Sequence, residues 1–216
     1  MSLAPGDSQT KSAVAASTQP VASDKHQAIL DAALQLFVER GFHGTAVPEV
    51  AKRARVAAGT IYHYFPSKEA LVNALFRTWK EALARRVYMA FPPDAPPREQ
   101  FDVMWRQMAA FALAHPQAVA FMELHHHRPY LDAESRALET QLKEFAKGVC
   151  QRGQAMGVFK PMDASLLIEL LFGAFIGMMR ANWESGVALT PEVIEGARAA
   201  CWDLVAEPST STSTST

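Results

Sequence analysis

The 216-residue chain is 49% hydrophobic and 20% charged, the composition of a globular chain and not of a disordered one, and its length allows one or two domains. With 22 acidic and 21 basic residues the net charge is −1, which excludes nucleic-acid binding by bulk charge alone. The two cysteines, Cys150 and Cys201, have no CxxC spacing, which excludes a disulfide framework and fits a reducing cytoplasm.

No unbroken apolar run reaches the roughly 18 residues of a membrane-spanning helix. The longest, Leu170 to Met179, is closed by Glu169 and Arg180. The start lacks a basic-then-apolar secretory pattern, so a soluble cytoplasmic protein with no membrane partner is expected. Charge is unevenly spread: residues 25–89 carry ten Lys or Arg against five Asp or Glu, and residues 90–216 carry ten against fifteen. A basic amino-terminal third points to an anionic partner for that part only.

Residues 1–23 are small and polar without a sustained period and read as a disordered leader. Asp24 with Gln27 resembles a capping box for a first helix. Ile29, Leu30, Ala33, Leu36 and Phe37 then recur at helical spacing until Gly41 stops the run. Thr45 opens a second helix bearing Val47, Val50, Ala51 and Ala54, with Pro48 tolerated in its first turn. A third short helix covers Ala58–Tyr64. Pro66–Ser67 breaks it, and Ser67 caps a fourth from Lys68 to about Phe91.

Pro92, Pro93, Pro96 and Pro97 form a rigid connector, a candidate domain boundary unless helix four serves both sides. Helix five carries Phe101, Met104, Trp105, Met108 and Phe111 and ends near His115–Pro116. A sixth runs toward His125 and Pro129 closes it; a seventh is striped by Leu138, Leu142, Phe145 and Val149 and stops near Gly157. Asp163 caps an eighth, apolar on nearly every side, and Thr190–Pro191 starts a ninth. The alternating Ser/Thr tract from Ser209 cannot bury a core. The fold class expected is all-α: a three-helix head on a larger bundle, about nine helices, with no strand.

Two short helices joined by a tight turn in a basic region place a second helix in a DNA major groove. Residues 29–76 carry Ala32-Ala33, Leu36-Phe37, Gly41-Phe42, Thr45, Val50-Ala51, Val56, Gly59-Thr60, Tyr62, Tyr64-Phe65, Ser67-Lys68-Glu69 and Leu71 at fixed spacing. This segment closely resembles the head of the tetracycline-repressor (TetR) family. The resemblance implies a DNA-binding domain over 24–70, a helical ligand-binding and dimerisation domain over 71–207, and a regulator with no cofactor. It further implies that Thr60, Tyr62, His63 and Lys68 touch phosphates while Ala58, Gly59 and Tyr62 approach bases; Thr45 and Arg55 complete the expected DNA-facing set.

The residues themselves agree. Gly59 admits close backbone approach, Thr60 offers a hydroxyl, and Lys68 stands at a helix start where N–H groups also face an anion. Tyr64 and Phe65 read as core. Two departures from the family pattern stand out. Arg55 replaces the usual Gly in the turn, either straining it by roughly 1 kcal/mol or reaching a phosphate. Ala57 replaces the usual Ser and forfeits an N-cap bond worth about 1 kcal/mol. With Ala57 and Ala58 at its entry, the recognition helix is expected to rely on thymine methyls and DNA shape.

A head this small requires two copies on a palindromic duplex, so helices eight and nine are expected to form a homodimer, with Gly173 and Gly177 on a face where another backbone approaches closely. Trp105, Met108, Phe111, Phe121, Met122, Phe145, Phe175, Met179 and Trp183 supply an adaptable apolar lining for a small hydrophobic or amphipathic effector, or else a filled core. Glu123 and His126 form a Glu-x-x-His pair within the His125-His126-His127 run. No second such pair exists, so a di-iron reading fails within one subunit. His126 is expected to meet a polar ligand group. Three alternatives remain: a metal-responsive regulator using His125–His127; a helical metal-binding enzyme, although no phosphate loop, HExxH or GxSxG supports catalysis; and an interaction protein whose head no longer binds DNA because Arg55 and Ala57 damage the turn.

Overall fold

The computed structural model describes residues 20–124 and 128–208. Helix α1 (Pro20–Arg40) turns Ile29, Ala33, Leu36 and Phe37 inward, all essentially without solvent contact. Burial of such side chains contributes about 1.5–3 kcal/mol each. The helix begins a turn before Asp24, which therefore lies inside it and is not its cap. Gly41 ends it in the left-handed region (φ 68°), and its N–H donates to the Phe37 carbonyl at 2.9 Å.

Helix α2 (Val47–Ala54) is capped by Ala46, one residue beyond the expected Thr45; Glu49 Oε2 accepts from the Ala46 N–H at 3.2 Å. Helix α3 (Ala58–Tyr64) has Ala57 at its N-cap and no side-chain cap bond, as the Ala57 departure implies. Ser67 Oγ accepts from the Ala70 N–H and starts α4 (Lys68–Ala90). The proline segment that follows turns the chain into α5 (Pro97–Ala114). Gln100 Nε2 bonds the Pro92 and Pro93 carbonyls at 3.2 and 2.9 Å, which fixes that turn.

Helix α6 (Pro116–Leu124) is short, and a 3₁₀ turn follows at Arg128–Tyr130. Then come α7 (Ala133–Ala155), α8 (Ala164–Ser185) and α9 (Pro191–Val205), started by Asp132, Asp163 and Thr190 respectively. Among the described residues there is no strand, only an isolated antiparallel bridge between Phe159 and Ala206. One apolar cluster runs from Ile29 through Phe121 to Val205, so head and body share a core across α1, α4 and α6. Phe37 of α1 meets Phe121 of α6 with ring centroids 6.0 Å apart.

Helix α8 is long and apolar enough, by length and composition, to cross a membrane, which the interruption at Glu169 hides from a count of unbroken apolar residues. Only 22% of its most apolar window is buried. The rest of the helix is half-buried or exposed, with Leu166 and Leu170 in solvent.

Candidate nucleic-acid interface and effector cavity

Helix α3 is held by one side. Ile61 is 1% exposed and Phe65 just beyond the helix 4%, whereas Ala58, Gly59, Tyr62 and His63 face outward. These four lie on one face by the four-residue spacing of a helix. Tyr62 is 53% exposed, a large aromatic ring presented to solvent. Thr60 is half-buried. Building a Cβ on Gly59 meets nothing within 4 Å, so the protein itself does not need the glycine there. Tyr64 and Phe65 pack against His26 of α1, at ring centroid distances of 5.6 and 5.2 Å. His26 was not visible as a partner in the sequence because the contact spans nearly forty positions.

The turn before α3 requires the left-handed conformation: Arg55 sits at φ 57° and ψ 40° and is the sole non-glycine residue at positive φ among the described residues. Its side chain is exposed beside exposed Lys52. Arg40 and Arg53 are paired to Glu49 and Glu39, each at 2.7 Å, and tie α1 to α2. The Arg53 hydrogen bond holds the Glu39 carboxyl below its usual value. Part of the basic excess is therefore spent inside the head.

Two expected DNA-facing residues have other work. Thr45 is 1% exposed, and its hydroxyl lies 3.1 Å from the Leu36 carbonyl and 2.9 Å from the Gly41 carbonyl. A buried hydroxyl cannot touch a duplex; it closes the α1–α2 loop. Lys68 Nζ donates to the Phe42 carbonyl at 2.8 Å and the Thr45 carbonyl at 3.0 Å, and lies 4.1 Å from the Phe42 ring centroid. Two of its three donors are occupied, so it chiefly clamps the end of the loop to α4.

In the body, a cavity of about 150 Å³ lies between α5, α7, α8 and the loop holding Phe159. Trp105, Met108 and Phe175 of the expected set line it. Phe111 and Met122 instead line a much smaller gap that shares Met108 and Phe175 and ends at Glu123. The others serve as packing. Phe121 fills the head–body seam, Phe145 is wedged between Tyr88 and Phe91 at 4.6 and 5.2 Å, Met179 is 1% exposed, and Trp183 packs half-buried on the core.

Sequence reading missed Phe159, whose ring packs where a Cβ on Gly153 would fall at 2.2 Å. It also missed Val149 and Cys150 as lining. Small α7 residues carry little signal of which void they face. His126, with the rest of His125–His127, lies outside the described residues. Among the described residues no three His, Cys, Asp or Glu side chains are grouped to hold a metal. Lys80 Nζ, a half-buried cation, pairs instead with Glu123 Oε1 at 3.0 Å.

On the body's outer surface, α8 exposes Leu166, Leu170, Gly173, Ala174 and Gly177, and α9 exposes Val193, Gly196, Ala200 and Leu204. A Cβ at Gly173, Gly177 or Gly196 meets nothing. Both stripes carry apolar and small residues, and exposed Glu169 and Arg180 flank the two α8 glycines on their helix face.

An α3 anchored along one side by Ile61 and Tyr64 and offered to solvent on the opposite face, after a tight turn from α2, defines a helix-turn-helix DNA-binding regulator. Comparison with known proteins makes the assignment specific. Residues 29–75 match the tetR family of bacterial regulatory proteins, and residues 76–207 match the tetracyclin repressor-like C-terminal domain. The chain belongs to the TetR family of transcriptional regulators.

The fatty acid metabolism regulator protein of Bacillus subtilis is 28% identical over 152 residues, covering 69% of this chain and 78% of its own. The HTH-type transcriptional repressor KstR2 of Mycolicibacterium smegmatis is 27% identical over 162 residues, 69% of this chain and 75% of its own. A TetR-family regulator from Marinobacter aquaeolei VT8 has a solved structure with a TM-score of 0.75 at 25% identity, over 86% of this chain and 97% of that one.

Proposed function

We propose that this cytoplasmic protein is a repressor that binds a palindromic operator as a homodimer and leaves it when a small hydrophobic or amphipathic molecule enters the body. The observation that carries the reading is the outward face of α3, with Gly59 open and Tyr62 half in solvent. Ala58, Gly59 and Tyr62 would meet bases; Arg55, Thr60 and His63 would meet phosphates. The family, with relatives named as a repressor and as a fatty acid metabolism regulator, supports both the sign of regulation and a lipophilic effector.

The α8–α9 face supports the dimer. Two such faces from two copies would bury Leu166, Leu170, Val193 and Leu204, which a lone chain leaves wet. A dimer would set two recognition helices about 34–36 Å apart, one turn of B-DNA. The cavity lies on α5, α7 and α8, and α4 runs from the body into the head, so a molecule that prefers one body conformation would shift the spacing of the heads.

Sedimentation of Gly177→Arg alongside the wild type tests the reading together with duplex-binding titrations. The variant is expected to sediment as a monomer and to bind operator at least about a hundredfold more weakly, because a single head keeps only half the contacts. A wild type that stays monomeric at high concentration, or a monomeric variant that binds operator as well as the wild type, would overturn it.

A further inference from the structure

A segment of the body returns to the head. Tyr130 lies within residues 76–207, yet its ring stacks on Phe42 of the loop between α1 and α2, with centroids 3.8 Å apart and planes 17° from parallel. Its hydroxyl lies 2.7 Å from Nε2 of His43 in the same loop. Ala46, which caps α2, is only three residues beyond His43. His43 is exposed, and Phe42 and Tyr130 are half-buried. The stack therefore sits at the rim of the head–body seam and not in the core that Phe37 and Phe121 fill.

Three segments meet here, and each is bonded to the other two. Lys68, at the start of α4, donates to the loop carbonyls of Phe42 and Thr45. Asn73, further along α4 and 3% exposed, donates to the Tyr130 carbonyl and accepts from the Asp132 N–H. Tyr130 closes the third side, from the body segment to the loop. Without that side the loop would hang from the flexible four-carbon stem of Lys68. A ring stack with a hydrogen bond at its outer end restrains both the tilt and the twist of the loop.

We infer that Tyr130 is a positioning residue for DNA recognition: it fixes the angle of the head on the body and so sets the half-site spacing that the dimer accepts. The inference rests on the operator-binding reading above and adds to it a residue outside the head. The duplex sets the precision required. One extra base pair between half-sites moves the second about 3.4 Å along the axis and roughly 35° around it. Heads held at a fixed angle cannot follow that step. Heads on a slack joint can, with the loss of preorganisation.

The test titrates the full chain against the palindrome it selects and against two duplexes with one base pair inserted or removed at the centre. The wild type is expected to bind both altered duplexes at least about tenfold more weakly than the parent. Tyr130→Ala is expected to bind the parent more weakly but all three within about threefold of one another. Tyr130→Phe keeps the stack and loses the hydroxyl bond, and is expected to keep most of the discrimination. The ratio separates positioning from stability, because an unfolded fraction lowers the apparent affinity for all three duplexes equally. Tyr130→Leu, with apolar bulk but no ring, reads the same ratio if Tyr130→Ala does not fold.

Undiminished discrimination in the Ala or Leu variant would overturn the inference, as would a wild type indifferent to the inserted base pair. Should the wild type select a palindrome while those variants discriminate as it does, only the role of Tyr130 is wrong. Should no palindrome be selected at all, the operator reading fails and takes the inference with it.

Discussion

Tyr130 lies flat on Phe42, their ring centroids 3.8 Å apart and their planes 17° from parallel. The Tyr130 hydroxyl is 2.7 Å from His43 Nε2, and Asn73 of α4 donates to the Tyr130 carbonyl at 2.8 Å and accepts from the Asp132 N–H at 2.9 Å. The segment entering α7 is thus bonded to the head loop and to α4 at once. Tyr130→Phe should cost about 1 kcal/mol through the lost hydrogen bond, and Tyr130→Ala about 2–3 kcal/mol with the stack gone as well. Denaturant midpoints of the two variants check the order; equal losses would mean the stack is idle.

Lys68 is chiefly a clamp. Lys68→Ala removes the Nζ donor from the Thr45 carbonyl and leaves the Phe42 carbonyl only the longer Thr45 N–H bond at 3.4 Å, and should lower stability by about 1–3 kcal/mol. The slope of log affinity against log salt should change by well under one unit, because two of the three donors are turned inward. A slope reduced by a full unit with unchanged stability would instead make Lys68 a phosphate contact.

Gly59 and Arg55 separate fold from function in opposite directions. Gly59→Ala adds a methyl into open space inside a helix and should stabilise the protein by up to about 1 kcal/mol while weakening operator binding. Arg55→Gly relieves the left-handed turn and should gain roughly 1 kcal/mol, and if the guanidinium meets a phosphate the salt slope falls by about one unit. Thermal melts and salt titrations on both variants decide; tight operator binding by Gly59→Ala would contradict close approach at that residue.

Acid should loosen the start of α7. Burial is the largest single influence on the Asp132 carboxyl and raises it, but the Ser135 hydrogen bonds and the Arg77 guanidinium at 3.0 Å together outweigh it and hold the group below its usual value. A lowered carboxylate stabilises the fold above the unfolded value, and that contribution is lost as pH falls through the folded one. The stability gap between wild type and Asp132→Asn should therefore be present at pH 7, close as pH falls below the ordinary carboxylate range, and shrink in high salt, since the pair is partly exposed. A gap that persists at pH 2 would place the effect in packing.

Periodic signals reached the elements well. Ile29 to Phe37, the Ser67 cap and the Asp163 cap are local features, and each helix they announce is present. Long-range pairings were beyond reach. Thr45 looks polar and turn-placed, and only the return of the chain shows its hydroxyl buried against Leu36. Lys68 reads as an exposed helix-start cation until Phe42 and Thr45, more than twenty positions back, bring carbonyls to it. Phe145 reads as lining by its helical stripe and Phe159 carries no periodic signal; α4 claims the first, and the Gly153 gap turns the second into the cavity.

The direct test is selection of bound duplexes from a random pool by the purified full chain, followed by footprinting of the enriched sequence. Two outward α3 faces on a twofold dimer predict an inverted repeat with half-site centres about 10 base pairs, or a multiple of a helical turn, apart, protected on both halves. A pool left unenriched, or a single unrepeated site filled by one chain, would contradict the account.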